Sequence, residues 1–295
     1  MNAEPDTKQK KSQWFYWLSL VLIVLVATFG WRQHTLKEAI RKLEKGGFYV
    51  DIRGPLEVME ELWRRSKDWR VAFSLSIWET DMREVVILDG PVSPILDELK
   101  DDLKKIQPYG LGFHSDTIVD MQSCQGLSAL KDMYVGQAES LKSLHGIEGS
   151  KSLWRLGLSN CPVLQNIDAI RGVIGLRELS LSNCTSLQNI DAIKGLSGLM
   201  ELSLNNCTSL QNVEGLKGLI GLKCLSLGSC TSLQNIDAIA GLTGIWSISL
   251  SDCISLKNVD AVKGLHGLFY LNLSNCTSLQ NVDAVKELTR LKDLN

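Results

Sequence analysis

Eight cysteines, four histidines and a column of acids are the residues of this 295-residue chain whose types could do chemistry. Cys161, Cys184, Cys207, Cys230, Cys253 and Cys276 recur every 23 residues. Thiolates at close range could bind a soft metal or exchange disulfides. The spacing argues against both, because one ligand of one type per turn gives a line rather than a tetrahedral cluster. Side chains stacked in parallel about 4.8 Å apart, the distance between paired strands, are also poorly set for a disulfide. The acids Asp168, Asp191, Glu214, Asp237, Asp260 and Asp283 keep the same period, and Arg171, Lys194, Lys217, Lys263 and Lys286 follow three residues later. A calcium site needs several carboxylates and carbonyls converging on one ion. A single acid per turn instead reads as the cap of the short turn after it, paired with its own base. The histidines, His34, His114, His145 and His266, stand apart, and two fall in turn phrases. No phosphate loop, metal-ligand cluster or nucleophile elbow is present. Cys224 is the one cysteine of an outward strand position, with nothing near it in sequence to lower its pKa. These residues point away from an enzyme, and they imply no metal and no cofactor.

What places the cysteines is a phrase, Leu176-x-x-Leu179-x-Leu181-x-x-Cys184, repeated with the same period. A fixed period in the twenties with this pattern is the signature of leucine-rich repeats. The two leucines of the Leu-x-Leu step alternate inward as strand residues must. Leu187, Ile190, Ile193, Leu196 and Leu199 carry apolar side chains round the rest of the coil. One turn cannot bury so many alone, so turns stack into a solenoid with a common core and one parallel strand per 22–25-residue turn. The cysteine then sits inward as a small apolar thiol. Val86-x-Leu88, Leu111-x-Phe113 and Met133-x-Val135 fill the same slot, so the repeats extend over residues 84–295.

The phrase resembles the short leucine-rich repeats of bacterial proteins, including the internalin-like class. The half-turn Asn189-Ile190-Asp191-Ala192-Ile193-Lys194-Gly195-Leu196 is similar to their convex segment. The run Ala39-Ile40-Arg41-Lys42-Leu43-Glu44-Lys45-Gly46-Gly47-Phe48-Tyr49-Val50 is similar to the segment after the anchor in certain bacterial membrane-anchored leucine-rich repeat proteins. That resemblance implies an order of anchor, basic segment and repeats, and no activity.

Ahead of the repeats, residues 1–13 form a short tail and 14–31 an uncharged run with aromatic residues at both ends. Its length at helical rise just spans a hydrocarbon core, so a single-pass membrane protein with an uncleaved signal-anchor is expected, with a cleavable signal peptide as the rival reading. Arg32, Lys37, Arg41, Lys42 and Lys45 outnumber Lys8, Lys10 and Lys11, which tilts the repeat domain toward the cytoplasmic face, although a short inward tail is the common alternative. Residues 32–47 read as a basic juxtamembrane helix and 48–83 as an α/β N-terminal cap. Within the cap, Phe48–Ile52 reads as a strand, and the alternating run Arg70–Trp78 as the antiparallel hairpin partner of Arg83–Leu88. A helix is expected over 97–106. The last residues, Leu291 to Asn295, begin a further strand whose open edge leaves three readings: end-to-end pairing into homo-oligomers, coverage by a partner, or truncation relative to an ancestor.

Outward strand positions make a continuous surface. Two of its columns are small, from Gly157 and Ser180 to Asn272 and from Ser159 and Ser182 to Ser274, as crowded strands require. The two columns before them vary. Trp154, Arg155, Arg177, Glu178, Met200, Glu201, Trp246, Phe269 and Tyr270 are of the types that anchor protein interfaces, and they form the candidate binding strip. A net charge of −2 gives no case for nucleic acid. The function expected is a membrane-anchored scaffold that binds a protein partner through the concave face, the alternative being a self-assembling membrane-surface protein.

Overall fold

A computed structural model describes residues 109–295 apart from 115, together with residues 49–53, 85–89, 101 and 104. The expected membrane span, the basic helix and most of the cap lie outside the described residues. Eleven strands form one sheet in chain order: β1 (Tyr49–Arg53), β2 (Val85–Asp89), β3 (Gly110–His114), β4 (Asp132–Gly136), β5 (Arg155–Ser159), β6 (Glu178–Ser182), β7 (Glu201–Ser203), β8 (Cys224–Ser226), β9 (Ser247–Ser249), β10 (Tyr270–Asn272) and β11 (Asp293–Leu294). From β2 onward every pairing is parallel, with one strand per turn of the solenoid. The register aligns Val86, Leu111, Met133 and Leu156, so the irregular early turns do occupy the slot of the regular ones. Residues 101 and 104 are helical, within the helix expected over 97–106.

The expected hairpin is a correction. The antiparallel partner of β2 is β1, not residues 70–78: Ile52 faces Val86 and Val50 faces Leu88, while β3 takes the other edge of β2. Residues 70–78 lie outside the described residues; both edges of β2 are taken by β1 and β3, and alternation has the period of a strand but assigns no partner.

The core is a single column. Leu176, Leu179, Leu181, Cys184, Leu187, Ile190, Ile193 and Leu196 of one turn, and Leu199, which opens the next, are at most 2% exposed, and the neighbouring turns repeat the pattern. In seven turns a left-handed residue follows the strand, Gln137 before Ala138 and Asn160, Asn183, Asn206, Ser229, Asp252 and Asn275 before the cysteine, with φ between 52° and 60°. Asn and Asp tolerate this conformation best among residues with a side chain. The reversal there swings the next side chain back inside. Four of the cysteines donate their thiols to a main-chain carbonyl of the turn before: Cys207 to Leu181, Cys230 to Leu204, Cys253 to Leu227 and Cys276 to Leu250, at 3.0–3.2 Å, whereas Cys161 turns to Ser159 of its own turn at 3.8 Å. All described cysteines are free. Burial pushes the thiols of Cys124, Cys207 and Cys253 up to about 12, and Cys230 higher still. The same left-handed asparagines occupy the Asn-Cys-Thr triplets, and Asn206 spends its amide on Asn183 Oδ1 at 2.6 Å.

On the convex side, short 3-10 turns run from Asp168–Ile170 to Asp283–Glu287. The acids that open them do not cap them, which corrects the sequence reading. The asparagine two residues earlier does so: Asn166 Oδ1 accepts the Asp168 N–H at 2.6 Å, and Asn189, Asn212, Asn235, Asn258 and Asn281 repeat the bond at 3.2–3.4 Å. A side chain pointing forward from outside the turn reaches the N–H at i+2, whereas the acid's own side chain already points outward. Pairing with the base three residues on holds for Asp168–Arg171, Glu214–Lys217 and Asp283–Lys286, at 2.5–2.8 Å. Lys263 turns instead to Glu287 of the following turn at 3.1 Å.

Candidate functional site

The candidate strip resolves into two rows with different tasks. The first row is the opening residue of each strand. Asp132, Arg155, Glu178, Glu201, Cys224, Ser247, Tyr270 and Asp293 stand side by side in register across eight strands. The second row is the residue just before: Trp154, Arg177, Met200, Lys223, Trp246 and Phe269. Its backbone is fastened by an unusual repeated bond. The carbonyl of Trp154 accepts both the Arg177 and the Glu178 N–H, at 2.8 and 3.1 Å. Arg177, Met200, Lys223, Trp246 and Phe269 do the same for the turn that follows each. Two donors on one carbonyl hold this row at a constant pitch from turn to turn.

The first row, with the small columns beside it, walls an open groove of about 400 Å³ that runs from Tyr134 on β4 to Ser247 and Ser249 on β9. Its floor is a hydroxyl and amide network. Ser182 bonds Ser180 and Ser203 at 3.3 Å, Asn205 donates to Ser203 at 3.2 Å, and Ser226 donates to Asn205 at 2.7 Å. The Asn205 oxygen also takes the Gly228 N–H at 2.8 Å, standing in for a main-chain carbonyl where the backbone pairing of β7 and β8 has ended. The second row forms the rim. Trp154, Met200, Trp246 and Phe269 are between 39 and 49% exposed, so each is packed on one side and open on the other.

Of the nine strip residues, Arg155, Glu178 and Glu201 come together in the groove, and Trp246, Phe269 and Tyr270 form an aromatic end four turns from Trp154. The Arg155 Nε donates to Glu178 Oε2 at 2.5 Å, and its guanidinium lies 5.3 Å from the Trp154 ring. The bond to Glu178 holds the Arg155 pKa above its ordinary value. Arg177 does not reach the groove. Its guanidinium folds along the loop against Gly198, where an added Cβ would collide with it, and its Nη1 is buried there without a hydrogen-bond partner. Cys224 lines the groove, its thiol raised by burial and then by the charge of Glu201, which makes it a poor nucleophile. His145 bonds Glu148 at 2.8 Å, next to a tight approach of Gly146 to the Met121 carbonyl. Among the described residues, no group of three or more His, Cys, Asp or Glu is placed to hold a metal ion.

Tyr134 escaped the sequence reading. It stands in the small column on β4, between Gly112 of β3 and Gly157 of β5, and is 44% exposed, with its ring against Gly157 so that a Cβ there would stand 3.0 Å from Cδ2. The one signal was a large aromatic residue one turn ahead of the column of Gly, Ser and Asn.

Comparison with known sequences decides the lineage. The model of the BspA type leucine rich repeat region matches in six copies, over residues 113–226 and 205–294, which is more than half of the chain. The chain belongs to this family. No curated protein matches it. Among solved structures, this BspA-type repeat chain is similar to internalin C2 from Listeria monocytogenes, with a TM-score of 0.51 at 16% identity over 66% of this chain and 83% of that one. An internalin of the same organism, inlF, aligns with a TM-score of 0.44 at 14% identity over 66% of this chain and 69% of that one. The TLR13–ssRNA13 complex gives 0.43 at 20% identity over 68% of this chain and 37% of that one. The likeness to internalin C2 is one of fold alone.

Proposed function

We propose that this BspA-type repeat protein is a membrane-anchored scaffold that binds a protein partner on the concave face of its solenoid. The observation that carries the reading is the rim: Trp154, Met200, Trp246 and Phe269, half exposed and held at fixed pitch beside a groove. Aromatic residues dominate the energetics of protein interfaces because they bury much area at small entropic cost. The hydroxyl floor is satisfied within itself and leaves the walls and rim to discriminate. Residues 14–31 supply the anchor in this reading, on their length and aromatic ends.

The test is a pull-down with the detergent-solubilised full chain and its triple variant Trp154→Ala, Trp246→Ala, Tyr270→Ala. Loss of the partner retained by the parent, with an unchanged circular dichroism spectrum, supports the assignment, and an identical set of retained proteins refutes it. Extraction of membranes with alkaline carbonate addresses the anchor: a chain held by a span stays with the lipid, and release into the supernatant refutes the anchored form.

A further inference from the structure

The groove carries a charge that the fold does not balance. Glu178 and Glu201 are neighbours in register on β6 and β7, and like charges directly opposite each other on paired strands are unfavourable. Arg155 spends its direct bond on Glu178 and reaches Glu201 only through space, as one charge shared among Glu178, Glu201 and Asp132. Glu201 is exposed and has no ion pair or side-chain hydrogen bond among the described residues. Cations stand close by in the rim row, yet each is engaged elsewhere. The Lys131 ammonium lies over the Tyr109 ring at 5.1 Å, Arg177 folds against Gly198, and Lys223 Nζ donates to the Gly244 carbonyl at 3.3 Å. Lys292 covers Phe269 at 4.9 Å. Beside the unanswered carboxylate stand the exposed thioether of Met200 and the half-buried Cys224.

We infer that the groove receives a cationic stretch of a protein partner, with a Lys or Arg side chain seated on Glu201 and an apolar neighbour lying on Met200 and Trp246. This rests on the reading of the concave face as a protein-binding surface and specifies the chemistry of what binds. From β4 to β9 the groove spans five strand intervals, about 24 Å at the spacing of paired strands, which matches about seven residues of extended chain. An incoming cation relieves the repulsion between Glu178 and Glu201 and makes a charge-assisted hydrogen bond, the stronger kind. It approaches a carboxylate still in contact with water, so little desolvation opposes it.

The probes are two capped seven-residue peptides, one of alternating valine and lysine and the other of valine and glutamate, titrated calorimetrically into the detergent-solubilised full chain. The lysine peptide binds more tightly than the glutamate peptide, and its affinity falls as salt is raised. Glu201→Gln weakens it about tenfold, as loss of one charge-assisted hydrogen bond dictates. Glu178→Gln acts in the same direction, because it releases Arg155 to neutralise Glu201. Asp283→Asn on the convex face changes nothing. Equal affinity for the two peptides, no binding of the lysine peptide, or indifference to Glu201→Gln overturns the inference. Failure here is separable from failure of the wider reading. If the triple aromatic variant loses the natural partner while Glu201→Gln keeps it, only the cationic assignment falls; if both keep it, the concave face is not the binding surface.

Discussion

The buried thiols make the solenoid vulnerable to alkali in a calculable way. Cys124, Cys207 and Cys253 are held up to about 12 by burial, whereas the same thiols in the unfolded chain titrate near 9. Between those values the unfolded state gives up protons that the folded state keeps, so it is the unfolded state that gains as pH rises. Stability from this source is intact below pH 9, declines from 9 to about 12 and changes no further above that. Each thiol contributes a loss of roughly 1.4 kcal/mol per pH unit within the window. At pH 10 these three together therefore cost about 4 kcal/mol, and Cys230 acts in the same direction. That is comparable with the whole stability of many domains. The assay follows far-ultraviolet circular dichroism and thiolate absorbance together in the full chain as pH is raised from 8 to 12. Both signals should change in one transition well below pH 12, since the thiols ionise only as the turns separate. Replacing Cys207, Cys230 and Cys253 by Ala should make the dependence of urea stability on pH shallower between pH 9 and 11, by roughly 4 kcal/mol per pH unit. In a chain with Cys161 and Cys224 replaced by Ala, thiolate absorbance that grows near pH 9 with an unchanged fold would refute the reasoning, because it would mean that the ladder is open to water.

Two further consequences rest on backbone geometry. Gly175→Ala drives a Cβ into the main-chain carbonyls of Lys151 and Leu153, which cannot swing aside as a side chain can, and should destabilise by about 2 kcal/mol in urea unfolding. At the equivalent place one turn on, the nearest atoms to a Gly198→Ala Cβ belong to the guanidinium of Arg177, the end of a long side chain that can swing away, so a smaller loss, below about 1 kcal/mol, is expected; equal losses at both sites would contradict the distinction. Asn206→Ala loses both the tolerance for φ near 60° and the bond to Asn183, and should cost about 2 kcal/mol. Asn206→Gly restores the backbone freedom alone and should recover about half, whereas equal stability of the two variants would show that the turn is not strained.

Much of this architecture is legible in the chain because a repeat states each rule many times. The inward leucines, the cysteine column and the alignment of Val86, Leu111 and Met133 with the regular turns follow from period and polarity, and the register agrees. Where a choice depends on direction in space, the residues alone mislead. Asn and Asp are both good caps, and only the path of the backbone gives the N–H at Asp168 to Asn166 rather than to the acid itself. The strip was visible as a set of residues, but long flexible side chains hide where they point. Arg177 and Lys223 leave the groove along the loops, while Arg155 from the adjoining row enters it. Tyr134 was hidden for the opposite reason: its turn precedes the regular period, so no column announced it.

The doubly bonded rim carbonyls have one more consequence. Because main chain alone sets the pitch from Trp154 to Phe269, the identity of a rim side chain is free of the task of holding the turns together. Recognition can then be rewritten one position per coil with the scaffold untouched, and duplication of a single 23-residue unit would lengthen the surface by one increment while leaving the existing contacts in place.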